Sequence, residues 1–163
     1  MKRLLLSVFF LLSIFCFAQD ADEKEIYSLI INSFPEKELK INDKVFRLNF
    51  EGNPDEKQEF KIFMRKFLFL RKSTYENFIA NNRKENTIYN DFNSDKNIVI
   101  VDYKNNGSII FSNLGFDYSK SQALVQYSKE DIFLALLEKK NDKWFLKERK
   151  KLKDLLSEFY DNH

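Results

Sequence analysis

Cysteine and histidine are almost absent from this chain of 163 residues, which has only Cys16 and His163. Serine and cysteine hydrolases use an imidazole as general base, and His163 is the last residue, where chain ends are normally frayed. Zinc and copper sites draw mainly on thiolate and imidazole ligands. The sequence therefore argues against Ser-His-Asp and Cys-His catalysis and against such metal sites, and we predict no cofactor.

Glycine and proline are also scarce, with three and two residues respectively. Gly52, Gly107 and Gly115 are too far apart to form a loop whose backbone N–H groups surround a phosphate, so the fingerprints of nucleotide binding are missing. No segment rich in Gly, Ser or Pro divides the chain, and we find no internal repeat. These features predict a single domain.

The N-terminus has the three-part layout of a secretion signal. Lys2 and Arg3 precede a fourteen-residue apolar run, and Ala18 provides a small side chain before a polar stretch. The run is shorter than the roughly 20 residues that span a bilayer as a helix. We therefore predict a signal peptide at residues 1–18, a domain at 19–163, and export to the periplasm or beyond. Lipid attachment at Cys16 is a minor alternative, because bulky Phe15 precedes it.

Cleavage after Ala18 would change both the charge and the thiol content. It would remove two of 27 basic residues and none of 25 acidic ones, leaving 25 of each sign. It would also remove the sole cysteine, so the mature chain could form no internal disulfide. Nucleic-acid binders concentrate positive charge to displace counterions from phosphates, and this balance gives no such signal. We predict no nucleic-acid partner.

Helical spacing dominates the first half of the mature chain. Ile26 to Phe34 carry apolar residues at helical spacing until Pro35, and a short β-like run covers residues 45–50. Asn53-Pro54 opens a second predicted helix, whose apolar positions continue to Leu70. Ser73 with Glu76 predicts a capping box for a third, short helix.

The period changes to that of β-strands after Ile98. Residues 98–101 and 109–111 flank Asn106-Gly107, which predicts a hairpin. Ala123, Val125 and Tyr127 alternate with Leu124 and Gln126 on a strand, and residues 132–137 predict a central strand covered on both faces. Trp144 begins a further strand, which we expect to pair antiparallel with the preceding one. Finally, Leu152, Leu155, Leu156 and Phe159 have the spacing of an amphipathic helix.

This order predicts an α+β class, with N-terminal helices packed on one face of an antiparallel sheet of about four or five strands and an amphipathic helix at the C-terminus. Ser73–Asn82, Phe111–Asp117 and Leu136–Trp144 give the chain a resemblance to small uncharacterised exported α+β proteins common in Bacteroidota. The resemblance covers roughly residues 73–144. It implies a secreted or periplasmic α+β fold and no particular activity, and it carries no functional residue to a numbered position.

Two kinds of charged group are candidates for function. Glu51 with Asp55, or Asp91 with Asp95, would suit glycoside cleavage or Ca²⁺ if a specific separation existed in three dimensions. Solvated loop carboxylates are the simpler interpretation of these acid pairs.

The highest density of basic residues, which we call the basic cluster, precedes and enters the predicted C-terminal helix. There the cations would contact acidic lipids or an acidic partner, or they would be solvated by water. The basic cluster comprises Lys147, Arg149, Lys150, Lys151 and Lys153.

Aromatic residues are abundant, because 14 of the 18 phenylalanines follow the leader. Core packing accounts for most of them, and a pocket for a small apolar ligand is the alternative. Trp144 would pack on the sheet or mark a pocket rim. We therefore predict an exported, non-enzymatic binding or interaction protein whose partner is another protein or a small apolar ligand. The alternatives are a carboxylate-dependent hydrolase and a peripheral envelope protein that makes weak membrane contact through a basic C-terminal helix.

Overall fold

The computed structural model describes residues 21–45, 66–83, 86–88, 91–102 and 107–154. Helices and a largely antiparallel sheet alternate along this part of the chain, which confirms the α+β class. In chain order the elements are α1 (21–32), β1 (Glu38–Asn42), α2 (Lys72–Asn81), β2 (Asn97–Val101), β3 (Ile110–Phe111), β4 (Gly115–Phe116), β5 (Gln122–Ser128), β6 (Ile132–Lys140), β7 (Lys143–Lys151) and a helical turn at 152–154.

The main sheet is antiparallel, with strand order β3-β5-β6-β7 and with β4 also paired to β5. Asn141 and Asp142 adopt positive φ values of 49° and 59° in the tight turn between β6 and β7. Asn and Asp tolerate this conformation better than most residues, so the polar turn forms where the sequence predicts it. Leu134 to Leu137 are buried on β6, which confirms the predicted central strand.

A second, two-stranded sheet contradicts the predicted hairpin around Asn106-Gly107. β2 pairs in parallel with β1 along all five residues. Ile109, just before β3, bridges Ile41 on the other side of β1, and its N–H donates to the carbonyl of Lys40. Because β1 lies between β2 and β3, the two strands cannot form a hairpin with each other. Local turn chemistry gave no sign of this distant partner.

The helices pack on opposite faces of the main sheet, so the prediction that they share one face is wrong. Ile26, Ile30 and Ile31 of α1 pack with Val125 and its neighbours on one face, which we call the α1 face. The other face, which we call the α2 face, carries a separate cluster around α2. That cluster comprises Phe67, Leu70, Tyr75, Phe78, Leu124, Leu134 and Leu136. The alternation predicted for β5 and the cover on both faces predicted for β6 are thus confirmed.

Helix α2 begins differently from the predicted capping box. Arg71 is the N-cap residue, and no side chain caps the helix from within. Instead the buried amide of Gln122, on β5, accepts hydrogen bonds from the N–H of Arg71 and the hydroxyl of Thr74, at 2.8 and 2.9 Å. The amide nitrogen of Gln122, Nε2, donates to the carbonyl of Phe69. A tertiary contact therefore replaces the local cap.

Several predicted segments lie outside the described residues. They are the signal at 1–18, the β-like run at 46–50, the helix at 53–65 and the last helix beyond residue 154. Within the part of the chain that the structure describes, no helix has the length and apolar character needed to cross a membrane.

Candidate functional site

A cavity of about 190 Å³ lies beside α1, and we call it the α1 cavity. Its buried apolar lining includes Tyr27, Val45 and Ile88, which are 4 to 6% exposed. Half-buried Phe92 adds an aromatic ring. The polar lining residues are Glu23, Lys24, Asn86, Thr87, Asp91 and Asn113.

Backbone pairing and side-chain hydrogen bonds position the far wall of the α1 cavity. The N–H of Val45 donates to the carbonyl of Asn86, and the N–H of Ile88 donates to the carbonyl of Asp43. On the near side, the hydroxyl of Tyr27 donates to the carbonyl of Ser112 at 2.9 Å. The cavity is therefore bounded by groups that are fixed to a strand end, to α1 and to the segment before β4.

Charge is concentrated at the edge of the α1 cavity. The ammonium of Lys24 lies 2.5 Å from the carboxylate of Asp91, whose side chain is 86% exposed. Burial, and then the charge of Glu23, raise the pKa of the Tyr27 phenol above its ordinary value. Tyr27 is thus a neutral hydrogen-bonding group at physiological pH. The cavity combines an apolar interior with ionic groups near solvent, an arrangement typical of small-molecule sites.

Of the two predicted acid pairs, the structure describes Asp91 with Asp95. Asp91 forms its ion pair with Lys24 at the cavity edge, and Asp95 is exposed. Glu51 and Asp55 lie outside the described residues. Among the residues with assigned positions, no group of three or more His, Cys, Asp or Glu side chains is arranged to hold a metal ion.

The basic cluster lies mostly on a strand, not on the predicted helix. All of its members except Lys153 belong to β7. A β-bulge interrupts this strand, because Leu136 pairs with Glu148 and Leu137 with Leu146, which leaves Lys147 without an opposite residue. Charged side chains and bulges are the usual devices that keep an edge strand from pairing with other chains.

Strand alternation divides the basic cluster between the two faces of the sheet, and the bulge shifts Lys147 to the face of Lys150. Lys147 and Lys150 lie over the rings of Phe69 and Phe67 on the α2 face. Arg149 and Lys151 both lie over Phe133 on the α1 face. The five cations therefore do not form one continuous surface.

Most cations of the basic cluster have carboxylate partners. Lys147 pairs with Glu138 at 3.3 Å, and Lys150 pairs with Glu148 at 2.8 Å. Asp131 lies 2.6 Å from Lys151 and 3.9 Å from Lys153. The hydrogen bond from Lys151 lowers the pKa of Asp131 despite a small opposing effect of desolvation. Arg149 differs from the others, because no carboxylate pairs with it among the residues that the structure describes.

Trp144, predicted as part of an interaction surface, is 2% exposed and cannot contribute to one. Its indole Nε1 donates to the carboxylate of Asp22 at 2.9 Å, and its ring packs against Phe116. Lys139 also bonds Asp22, at 2.7 Å, and lies over the indole ring. The prediction that Trp144 packs on the sheet is confirmed, and it is not among the residues that line the α1 cavity.

Comparisons with protein-family models, with curated proteins and with solved structures find no match to this chain. The resemblance to exported proteins of Bacteroidota stays a prediction.

Sequence reasoning missed the lining of the α1 cavity. Its residues come from α1, from Val45 after β1, from residues 86–88 and 91–92, and from the segment before β4. Each residue is unremarkable in its own segment, and only the tertiary fold brings them together. The one sequence feature that suggested a pocket was the abundance of aromatic residues.

A second polar cluster, missed for the same reason, surrounds the carboxylate of Asp117, whose side chain is 4% exposed. The guanidinium of Arg71 lies 2.5 Å away, and the backbone N–H groups of Ser121 and Gln122 donate at 2.7 and 2.8 Å. Ser119 adds a hydroxyl donor. Burial opposes ionisation of Asp117, but these donors together lower its pKa to about 2.

The Asp117 cluster predicts an acid-sensitive contribution to stability. The folded pKa lies below the ordinary value of 3.8, so the stabilisation is complete above about pH 4 and is lost as the pH falls toward 2. The difference corresponds to about 2 kcal/mol. We expect urea unfolding to show the free-energy gap between the wild type and Asp117→Asn shrinking by about this amount from pH 5 to pH 2. A constant gap would show that Asp117 is not selectively stabilised as its anion.

Proposed function

We propose that this chain is an exported, non-enzymatic binding protein that holds a small, mainly apolar ligand in the α1 cavity. The observation that carries the proposal is the cavity itself, in which the buried side chains of Tyr27, Val45 and Ile88 meet an ionic edge. Export is supported by the composition of residues 1–18, whose charged start and fourteen-residue apolar run have the layout of a cleavable signal.

The volume of the α1 cavity restricts the ligand to a small molecule. An apolar cavity of roughly 150 Å³ binds benzene, so about 190 Å³ suits a single ring with one small substituent. Val45, Ile88 and Phe92 offer contacts to the apolar body. The ion pair of Lys24 and Asp91 at the edge offers hydrogen bonds to a polar substituent. Such a division between an apolar body and a few orienting polar groups is usual for ligand sites.

Phenol is a suitable probe, because it has one ring and one polar substituent. We expect its titration into ¹⁵N-labelled protein to shift the amide signals of the cavity lining. Thr87 lines the cavity and is exposed, so Thr87→Phe adds bulk without disturbing a buried residue. This variant should weaken phenol binding about tenfold, which corresponds to about 1.4 kcal/mol.

Val99→Phe is the matched control, since it also replaces a small β-branched residue by phenylalanine at an exposed strand position, and Val99 does not line the cavity. It should bind phenol like the wild type. Signals that do not move, or shifts that Thr87→Phe and Val99→Phe alter equally, would contradict binding in the α1 cavity. The hydrolase and the peripheral envelope protein stay predictions, and the described geometry adds no observation in favour of either.

A further inference from the structure

Arg149 occupies an exposed position on β7, on the α1 face of the sheet and outside the α1 cavity. Its guanidinium carbon lies 5.4 Å from the centre of the Phe133 ring, and Nη1 lies 3.5 Å from the hydroxyl oxygen of Tyr127. Within the described part of the chain, no carboxylate forms an ion pair with it. Arg149 is therefore a cation that is held over an aromatic ring and has no carboxylate partner among the described residues.

A stack of aromatic rings supports the guanidinium. Phe133 stacks on Tyr127, with centroids 5.4 Å apart and an interplanar angle of 22°. Phe34 packs edge-on against Tyr127, with centroids 6.1 Å apart. The pairing of β5 with β6 places Tyr127 opposite Phe133, so the backbone fixes this stack. A guanidinium held over such rings loses less conformational freedom when it binds a ligand.

The cations nearest to Arg149 have carboxylate partners. Lys151 lies over the same Phe133 ring at 5.7 Å, and its ammonium pairs with Asp131. Lys129 lies over Phe34 and pairs with Glu36. Lys153 lies 3.9 Å from the same Asp131 carboxylate. Among the described residues, Arg149 is thus the cation of this group that has no carboxylate within ion-pair distance.

We propose that Arg149, with Lys151 beside it, forms a binding site for an oxyanion such as a carboxylate, sulfate or phosphate group. The planar guanidinium offers parallel N–H donors that match two oxygens of such a group, whereas an ammonium acts as a point charge. Lys151, through its ion pair, neutralises the Asp131 carboxylate that would otherwise repel an anion. This site is separate from the α1 cavity, so its existence does not depend on the proposed ligand there. The competing explanation is that Arg149 only covers the ring of Phe133.

Sodium sulfate is the first probe. Its titration is monitored by ¹⁵N chemical shifts, and sodium chloride keeps the ionic strength constant. We expect saturable shifts centred on Arg149 and on residues 133–135 of β6, its neighbouring strand. Arg149→Lys keeps the charge and the aliphatic cover over Phe133 but loses the paired donors, so it should weaken sulfate binding about tenfold. Arg149→Gln should abolish it. Both changes are at an exposed position, and thermal unfolding should confirm that the variants fold.

Lys147→Gln is the matched control, because it removes a cation from the same strand but on the α2 face. It should leave sulfate binding within about twofold of the wild type. A parallel titration with acetate shows whether the site prefers planar carboxylates or tetrahedral anions, and both should require Arg149. Equal weakening by Lys147→Gln and Arg149→Lys would indicate a diffuse counterion effect and would overturn the proposal. Unsaturable shifts, or wild-type affinity in Arg149→Lys, would overturn it as well.

Discussion

Replacing Gly115 by alanine is expected to destabilise the fold by about 3 kcal/mol, measured as the free energy of unfolding in urea. Gly115 lies on β4 directly under α2, where an added methyl group would come within 2.3 Å of the Cα of Phe78. Because the obstacle is helix backbone, a change of rotamer cannot relieve it. α2 would have to move away from the sheet, and the α2-face cluster around Phe78 would lose packing.

Gly107→Ala provides the matched control for this prediction. Gly107 has a φ of 84°, and among the described residues no atom other than those of its chain neighbours lies within 4 Å of the position that a methyl group would take. Its replacement should cost only the strain of a left-handed backbone, about 1 kcal/mol. If Gly115→Ala destabilised the protein no more than Gly107→Ala, then α2 would not lie as close to β4 as the structure places it.

Trp144→Ala is expected to cost about 4 kcal/mol of unfolding free energy, because it removes a large buried side chain from the α1 face. The change would also take away the indole N–H that donates to Asp22, a buried carboxylate that would then keep Lys139 as its partner among the described residues. Circular dichroism is the appropriate probe, since Trp144 is the only tryptophan in the chain.

Two further variants separate the contributions of Trp144. Trp144→Phe keeps an aromatic ring against Phe116 but loses the hydrogen bond to Asp22, so it should recover a substantial part of the stability lost in the alanine variant. Phe145→Ala, at the next and half-exposed position, should cost less than about 1 kcal/mol. Similar losses for Trp144→Ala and Phe145→Ala would contradict the burial of the indole.

The elements that the sequence predicted correctly depend on nearby residues. The alternation of β5 and the unbroken apolar run of β6 report burial on both faces, and the Asn-Asp turn joins β6 to β7 locally. The parallel pairing of β1 with β2 was beyond reach, because its partners are separated by 59 residues and neither strand carries a signal for the other. The predicted hairpin failed for this reason.

The candidate sites show the same limit more strongly. The basic cluster was visible as a run of charges, but the position of Lys147 on the same face as Lys150, and not with Arg149, follows from the bulge, which no local pattern indicates. Arg149 differs from its neighbours only through the placement of distant carboxylates. The α1 cavity likewise depends on where Ile88 and Tyr27 meet, and hydrophobic residues at such positions are equally consistent with ordinary core packing.

The most direct test of the account is native mass spectrometry of the protein recovered gently from its own cells, followed by identification of whatever is released on unfolding. We predict a chain that begins at Gln19, with one small molecule bound, and loss of that molecule in Thr87→Phe but not in Val99→Phe. A chain that still begins at Met1 would contradict export. The α1 cavity would be contradicted as a ligand site if the wild-type protein released no small molecule, or if Thr87→Phe released the same molecule as the wild type.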